Sequence, residues 1–235
     1  MKRRSLATMV AVALALVQIV ATAEGQKKQA PKVQVPNAGV PQIATLEGQY
    51  VRVAYNNDGY VSLGYRAANQ SVGEPWMLLE IGATVRAGKP NYELTREAVS
   101  LSTPDGQTVP LPTIAEYRKV DLRALQQRAS VIRDSINYFP PEATQACRIG
   151  FFADVDSPAM AYDQVELSSQ RGCLGRLYFN VPGGIKYGQY FLDVKFQDSL
   201  VRVPFRILTD EEDKLLSKNY KDIKKQVEAA FKKKS

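Results

Sequence analysis

The stretch QYFLDVKFQDSLVRVPFRIL (189–208) decides the fold class. Tyr190, Leu192, Val194 and Phe196 recur at every second position. Gln197-Asp198-Ser199 then turns the chain, and Val201, Val203, Phe205 and Ile207 recur opposite Arg202, Pro204 and Arg206. Side chains alternate across a strand, so these two runs predict a hairpin with one face for a core and one for water. Pro204 has no N–H for a ladder and marks an edge strand or a bulge.

Working outward, CRIGFFA (147–153), DQVELS (163–168) and CLGRLYFNV (173–181) are further strand candidates, and PGGIKYG (182–188) is a loop. GQYVRVAY (48–55) and YVSLGYR (60–66) flank an Asp58-Gly59 turn, which is a hairpin signal. WMLLEIGATVR (76–86) is strand-like. AVSLST (98–103) and QTVPLP (107–112) flank Pro104-Asp105-Gly106, where Pro presets one turn angle and Gly tolerates positive φ. Two segments break the rhythm. TIAEYRKVDLRALQQRASVIRDSI (113–136) opens with the Thr113/Glu116 spacing of a capping box and carries Leu122, Leu125, Ala129, Ile132 and Ile136 on one helical face, ended by Pro140-Pro141. Residues 209–235 repeat the capping spacing at Thr209 and Glu212 and carry Leu216, Tyr220, Ile223, Val227 and Ala230 as an apolar stripe. Eight or nine short strands with frequent turns predict a β-sandwich over 46–208 with a helical insertion near 113–136, followed by a C-terminal amphipathic helix at 209–235.

The N-terminus predicts a compartment. Lys2, Arg3 and Arg4 precede the uncharged LATMVAVALALVQIV (6–20), and ATA (21–23) precedes Glu24. Those are the parts of a secretory signal peptide, 1–23, cleaved between Ala23 and Glu24. Its apolar run is shorter than a membrane span requires. Residues 24–45, rich in Gln, Lys and Pro, read as a flexible linker. Cleavage lowers Lys+Arg from 31 to 28 against 24 Asp+Glu, so the formal net charge falls from +7 to +4. A nucleic-acid partner loses its support with those charges. An exported, periplasmic or extracellular chain meets oxidising conditions. Cys147 and Cys173 are then expected to form a structural disulfide, since two cysteines with no histidine are too few for a structural zinc site and their separation is not the two-residue spacing of a thioredoxin-like redox pair.

The absence of histidine removes Ser-His-Asp and Cys-His nucleophile systems and HExxH zinc sites. No catalytic residue, cofactor or metal site is expected. Asp154, Asp156, Asp163 and Glu166 form an acidic cluster, but Pro158 and Ala159 break the calcium-loop pattern, and a solvated loop is the expectation. Arg118, Lys119, Arg123, Arg128 and Arg133 are interspersed with Asp121 and Asp134 and read as a solvated helix face. Tyr50, Tyr55, Tyr60 and Tyr65 are explained by strand propensity. In the C-terminal helix, acids gather at the start and lysines at the end, as the helix dipole favours. Its stripe is expected to pack on protein, with membrane contact less favoured.

On YRAANQSVGEPWMLLEIG (65–82), LSTPDGQTVPLP (101–112) and CLGRLYFNVPGGIKYGQYFLDVKF (173–196), the chain resembles uncharacterised exported bacterial proteins with an immunoglobulin-like β-sandwich. The resemblance implies that fold and brings no activity with it. Trp76 precedes both cysteines, which departs from the antibody pattern. The function expected is an exported, non-enzymatic binding or scaffolding module with an envelope or extracellular protein partner. The alternatives are a carboxylate-dependent carbohydrate-active enzyme and a peripheral membrane-associated envelope protein.

Overall fold

The computed structural model describes residues 42–153 and 160–232, with side chains placed through residue 226. In chain order the elements are β1 (Ile43–Gly48), β2 (Val51–Tyr55), β3 (Gly59–Gly64), α1 (Arg66–Asn69), β4 (Trp76–Val85), β5 (Tyr92–Thr95), β6 (Val99–Ser102), β7 (Thr108–Pro110), α2 (Ile114–Tyr117), α3 (Arg123–Val131), β8 (Gln145–Ile149), β9 (Gln164–Leu167), β10 (Arg171–Asn180), β11 (Gly188–Lys195), β12 (Leu200–Ile207) and α4 (Asp210–Lys232). The protein is mainly β. β1 begins at Ile43, so strand structure enters the last residues of the segment expected as linker. Ala23 and Glu24 lie outside the described residues.

Among the described residues three sheets form: β1-β2-β3-β4-β10-β8, β12-β11-β6-β7 and the pair β5-β9. The hairpin β11–β12 runs in register from Gly188↔Ile207 to Lys195↔Leu200. Tyr190, Leu192, Val194, Val201, Val203 and Ile207 are fully buried, as the alternation requires. β12 is an edge strand, the place where Pro204 costs no ladder bond. β4 is central to the six-stranded sheet and buried at every position, which explains its nearly continuous apolar sequence. Residues of both large sheets belong to one core cluster. Tyr65, just after β3, packs its ring 5.2 Å from Phe205 of β12.

β8 pairs with β10 in parallel, with Cys147 directly opposite Cys173. The two are disulfide-bonded, their Cα atoms 4.1 Å apart. The bond thus joins neighbouring strands of one sheet, whereas the antibody bridge ties two sheets together.

The β2–β3 turn differs from its sequence reading in mechanism. Asn56 Oδ1 accepts the N–H groups of Asp58 (2.9 Å) and Gly59 (3.0 Å), so an Asn side chain builds the turn. Gly59 is required for space: a Cβ there would lie 2.2 Å from the Phe196 ring. Gly106, at φ 78°, does use the left-handed region foreseen for its turn.

The insertion predicted as one helix over 113–136 is two helices, α2 and α3. The capping box at Thr113 and Glu116 is complete. The helix ends by tightening into i→i−3 bonds, Lys119 N–H to Glu116 O at 3.2 Å and Val120 N–H to Tyr117 O at 3.3 Å, and Asp121 Oδ1 takes the Arg123 N–H at 3.1 Å where α3 begins. The break lets Tyr117 pack on Phe152 and Tyr178, at 4.8 and 5.1 Å, while α3 buries Leu125 and Ala129. Beyond α3 the chain crosses β3, β4 and β10 without helical structure. Ser62 Oγ donates to Ile136 O at 2.8 Å, and the Phe139 ring occupies space that Gly82 and Gly172 leave open. The periodicity through Ile132 and Ile136 therefore serves a crossing segment.

Candidate functional site

The last hairpin and the last helix build the site. Thr209 and Glu212 cap α4 reciprocally: Glu212 Oε2 accepts the Thr209 N–H and Thr209 Oγ1 accepts the Glu212 N–H, at 3.1 and 3.3 Å. Arg206 donates to Glu212 at 2.7 Å, joining β12 to the helix start. Asp213 accepts from the Tyr50 hydroxyl and from Gln49 Nε2 at 2.6 Å. Further along, the Tyr220 hydroxyl donates to Leu46 O at 3.3 Å and Lys224 pairs with Glu47 at 2.9 Å. Of the predicted contact face, Leu216 is buried, and Tyr220 and Ile223 pack partly buried against the core. Val227's side chain lies outside the described residues. The helix thus folds back on β1 of its own chain.

Between β1, β12 and α4 lies a cleft of about 250 Å³. Ala44, Leu46, Phe205, Leu216 and Ile223 give it apolar walls. Arg52 is also in the wall. It stands opposite Leu46 and Leu63 in the ladder and shares a sheet face with Ala54, which is fully buried. An arginine therefore points to the core side of the sheet. Its Nη1 donates to the carbonyls of Gly48, Gln49 and Val51 at 3.0–3.2 Å, and its Nη2 to the Tyr65 hydroxyl at 2.5 Å. All four acceptors are neutral. Among the described residues no carboxylate pairs with Arg52. Burial holds its guanidinium below the usual arginine value.

The edge of β12 beside the cleft is closed. Gln42 presents its side-chain amide to Arg202, donating to its carbonyl at 2.5 Å and accepting its N–H at 2.8 Å, as a neighbouring strand would. Two residues on, Pro204 has no N–H to offer.

A second cleft, about 410 Å³, lies between β7 and α2, with Trp76, Val109, Pro112 and Val120 in its wall. Trp76 is itself buried, so its ring face is not displayed. Of the predicted acidic cluster, Asp163 pairs with Arg96 at 3.1 Å and Glu166 with Arg171 at 3.4 Å. Asp154 and Asp156 lie outside the described residues. The basic insertion face is dispersed by its pairings, Arg128 with Glu74 and Arg133 with Glu80.

Burial raises the phenols on and beside the first hairpin. Tyr60 and Tyr65 are each pushed up to about 12, first by loss of hydration. Tyr50 is raised by burial and then by its bond to Asp213. A raised folded-state pKa favours the neutral form in the fold. Its stabilisation is complete below the unfolded value of 10.0 and is lost as pH rises through about 12. Urea titrations at stepped pH should therefore show a falling midpoint across that window, with a shallower fall in Tyr65→Phe. An unchanged slope in that variant would reject the contribution of Tyr65.

Comparison with protein-family models, curated proteins and solved structures finds no match to this chain. The geometry of the cleft is what bears on function. Sequence reading missed it because Arg52 alternates with Val51 and Val53 like a water-facing residue of an ordinary strand. Only the register beside Leu46 and Leu63 reveals its direction.

Proposed function

We propose that this chain is an exported, non-enzymatic binding module of the cell envelope or extracellular space, built as an immunoglobulin-like β-sandwich, with the cleft under α4 as its binding surface. The cleft carries the reading. Protein interiors are close-packed, and an apolar concavity with a few placed polar groups is the usual form of a ligand site. The disulfide supports the compartment, since such bonds persist under oxidising conditions. The pairing of Asp58 with Lys89, Asp134 with Arg66 and Asp193 with Arg202 gives these carboxylates structural roles and counts against a carboxylate-dependent enzyme. The closed β12 edge moves recognition away from strand addition there and towards the cleft.

The test is recovery of the protein from its native exported fraction, followed by mass spectrometry under native and then denaturing conditions. The reading expects a non-covalent mass that is released on unfolding. A chain that retains Met1 inside the cell, or an exported chain that carries nothing, overturns it.

A further inference from the structure

We propose that the cleft under α4 takes a free, single-chain alkyl carboxylate, its chain between β1, β12 and α4 and its head on Arg52. This rests on the binding-module reading and names the ligand class of the same site. The walls decide the tail. Leu46 from β1, Phe205 from β12 and Leu216 and Ile223 from α4 line an open cleft of about 250 Å³. That lies below the ~300–1,000 Å³ of pockets for drug-sized ligands, so it suits one medium-length chain and not a two-chain lipid.

The charges decide the head. Arg206, also at the cleft, is neutralised by Glu212. Arg52 then contributes one positive charge, which matches a monoanion better than a doubly charged phosphate. A guanidinium has five N–H donors. The two on Nη1 serve three carbonyls and one on Nη2 serves Tyr65. Nε–H and the second Nη2 hydrogen make no bond to described residues, and a carboxylate accepts two such donors well. Asp213 is held by Tyr50 and Gln49, and Glu47 by Lys224, so neither supplies the counter-charge internally.

Calorimetry on the full exported chain should use decanoate below its micelle concentration, with decanol, decyltrimethylammonium, inorganic phosphate and phosphatidylglycerol vesicles as separate arms. Decanoate should bind at least about 10-fold tighter than decanol, the effect of a charged hydrogen-bond partner. Arg52→Gln should weaken decanoate about 10- to 100-fold, and Ile223→Trp, which fills the cleft, should also weaken it. Should Arg52→Gln fail to fold, the head-group comparison on the unaltered chain decides, with NMR contacts from the decanoate chain to the Leu216 methyls locating it. Equal binding of decanol or of the cationic amphiphile overturns the proposal, as does binding of phosphate or vesicles without decanoate. If decanoate fails while the native protein releases another bound molecule, this inference falls and the binding-module reading stands. If decanoate fails and nothing is released, both fall.

Discussion

Replacing both Cys147 and Cys173 by alanine should lower the stability of the fold by about 3–4 kcal/mol. The bond closes a sequence separation of 26 residues, and a cross-link of that span removes loop freedom from the unfolded chain. The native side adds to the effect. Among the described residues β8 lies at the edge of its sheet and its only ladder partner is β10. That pairing is parallel, slightly the weaker kind per residue, and most of β8 is exposed or half-buried. The disulfide is therefore the main hold on β8. Hydrogen exchange in the double variant should rise first at Gln145–Ile149. Thermal melting should show a drop in Tm on the order of 10 °C. A loss below about 1 kcal/mol would mean that the ladder holds β8 unaided.

Asp193→Ala should cost about 3–5 kcal/mol, the range for removing one partner of a buried ion pair. Asp193 on β11 meets Arg202 on β12 through two bonds, at 2.7 and 2.8 Å, and also accepts from Ser102 at 3.2 Å. The side chains are only 9% and 18% exposed, so solvent screens the pair little. Truncating the aspartate removes both charge-assisted bonds from a guanidinium that stays largely out of water. The double variant Asp193→Val/Arg202→Val should be closer to the unaltered protein than Asp193→Val alone, because apolar replacement removes the largely buried guanidinium together with the carboxylate. Urea melts of the three variants would show it. A double variant at least as unstable as the single one would reject the account.

The last hairpin, β4 and the capping boxes were legible in the sequence because each rests on local chemistry. Alternation at 190–196 and 201–207 needs only the strand period, and the Thr113/Glu116 and Thr209/Glu212 boxes need only three residues of spacing. The cysteine pair followed from ligand chemistry. What the sequence hid was long-range. The helical periodicity of 113–136 does not reveal that the helix breaks between Tyr117 and Arg123 or that Phe139 fits over Gly82 and Gly172. β5 and α1 are too short to stand out as periodic runs. The parallel pairing of β8 with β10 leaves no local mark. The cleft was hidden for the same reason: its walls come from residues 44–52, 189–206 and 216–223, and Arg52 gains its meaning from strands that the sequence does not order.

The seating of α4 on β1 also sets an order of events. Lys224 and Glu47, which meet there, are 177 residues apart in sequence. During synthesis the strand emerges long before the helix that covers it. Until residues 210–224 are available, the Leu46 carbonyl and the cleft beside it face water. Closing so long a loop is slow relative to local pairing. The domain should thus complete its fold only after residues 210–224 have been made, and its nascent form should present the β1 edge uncovered to any chaperone that meets it.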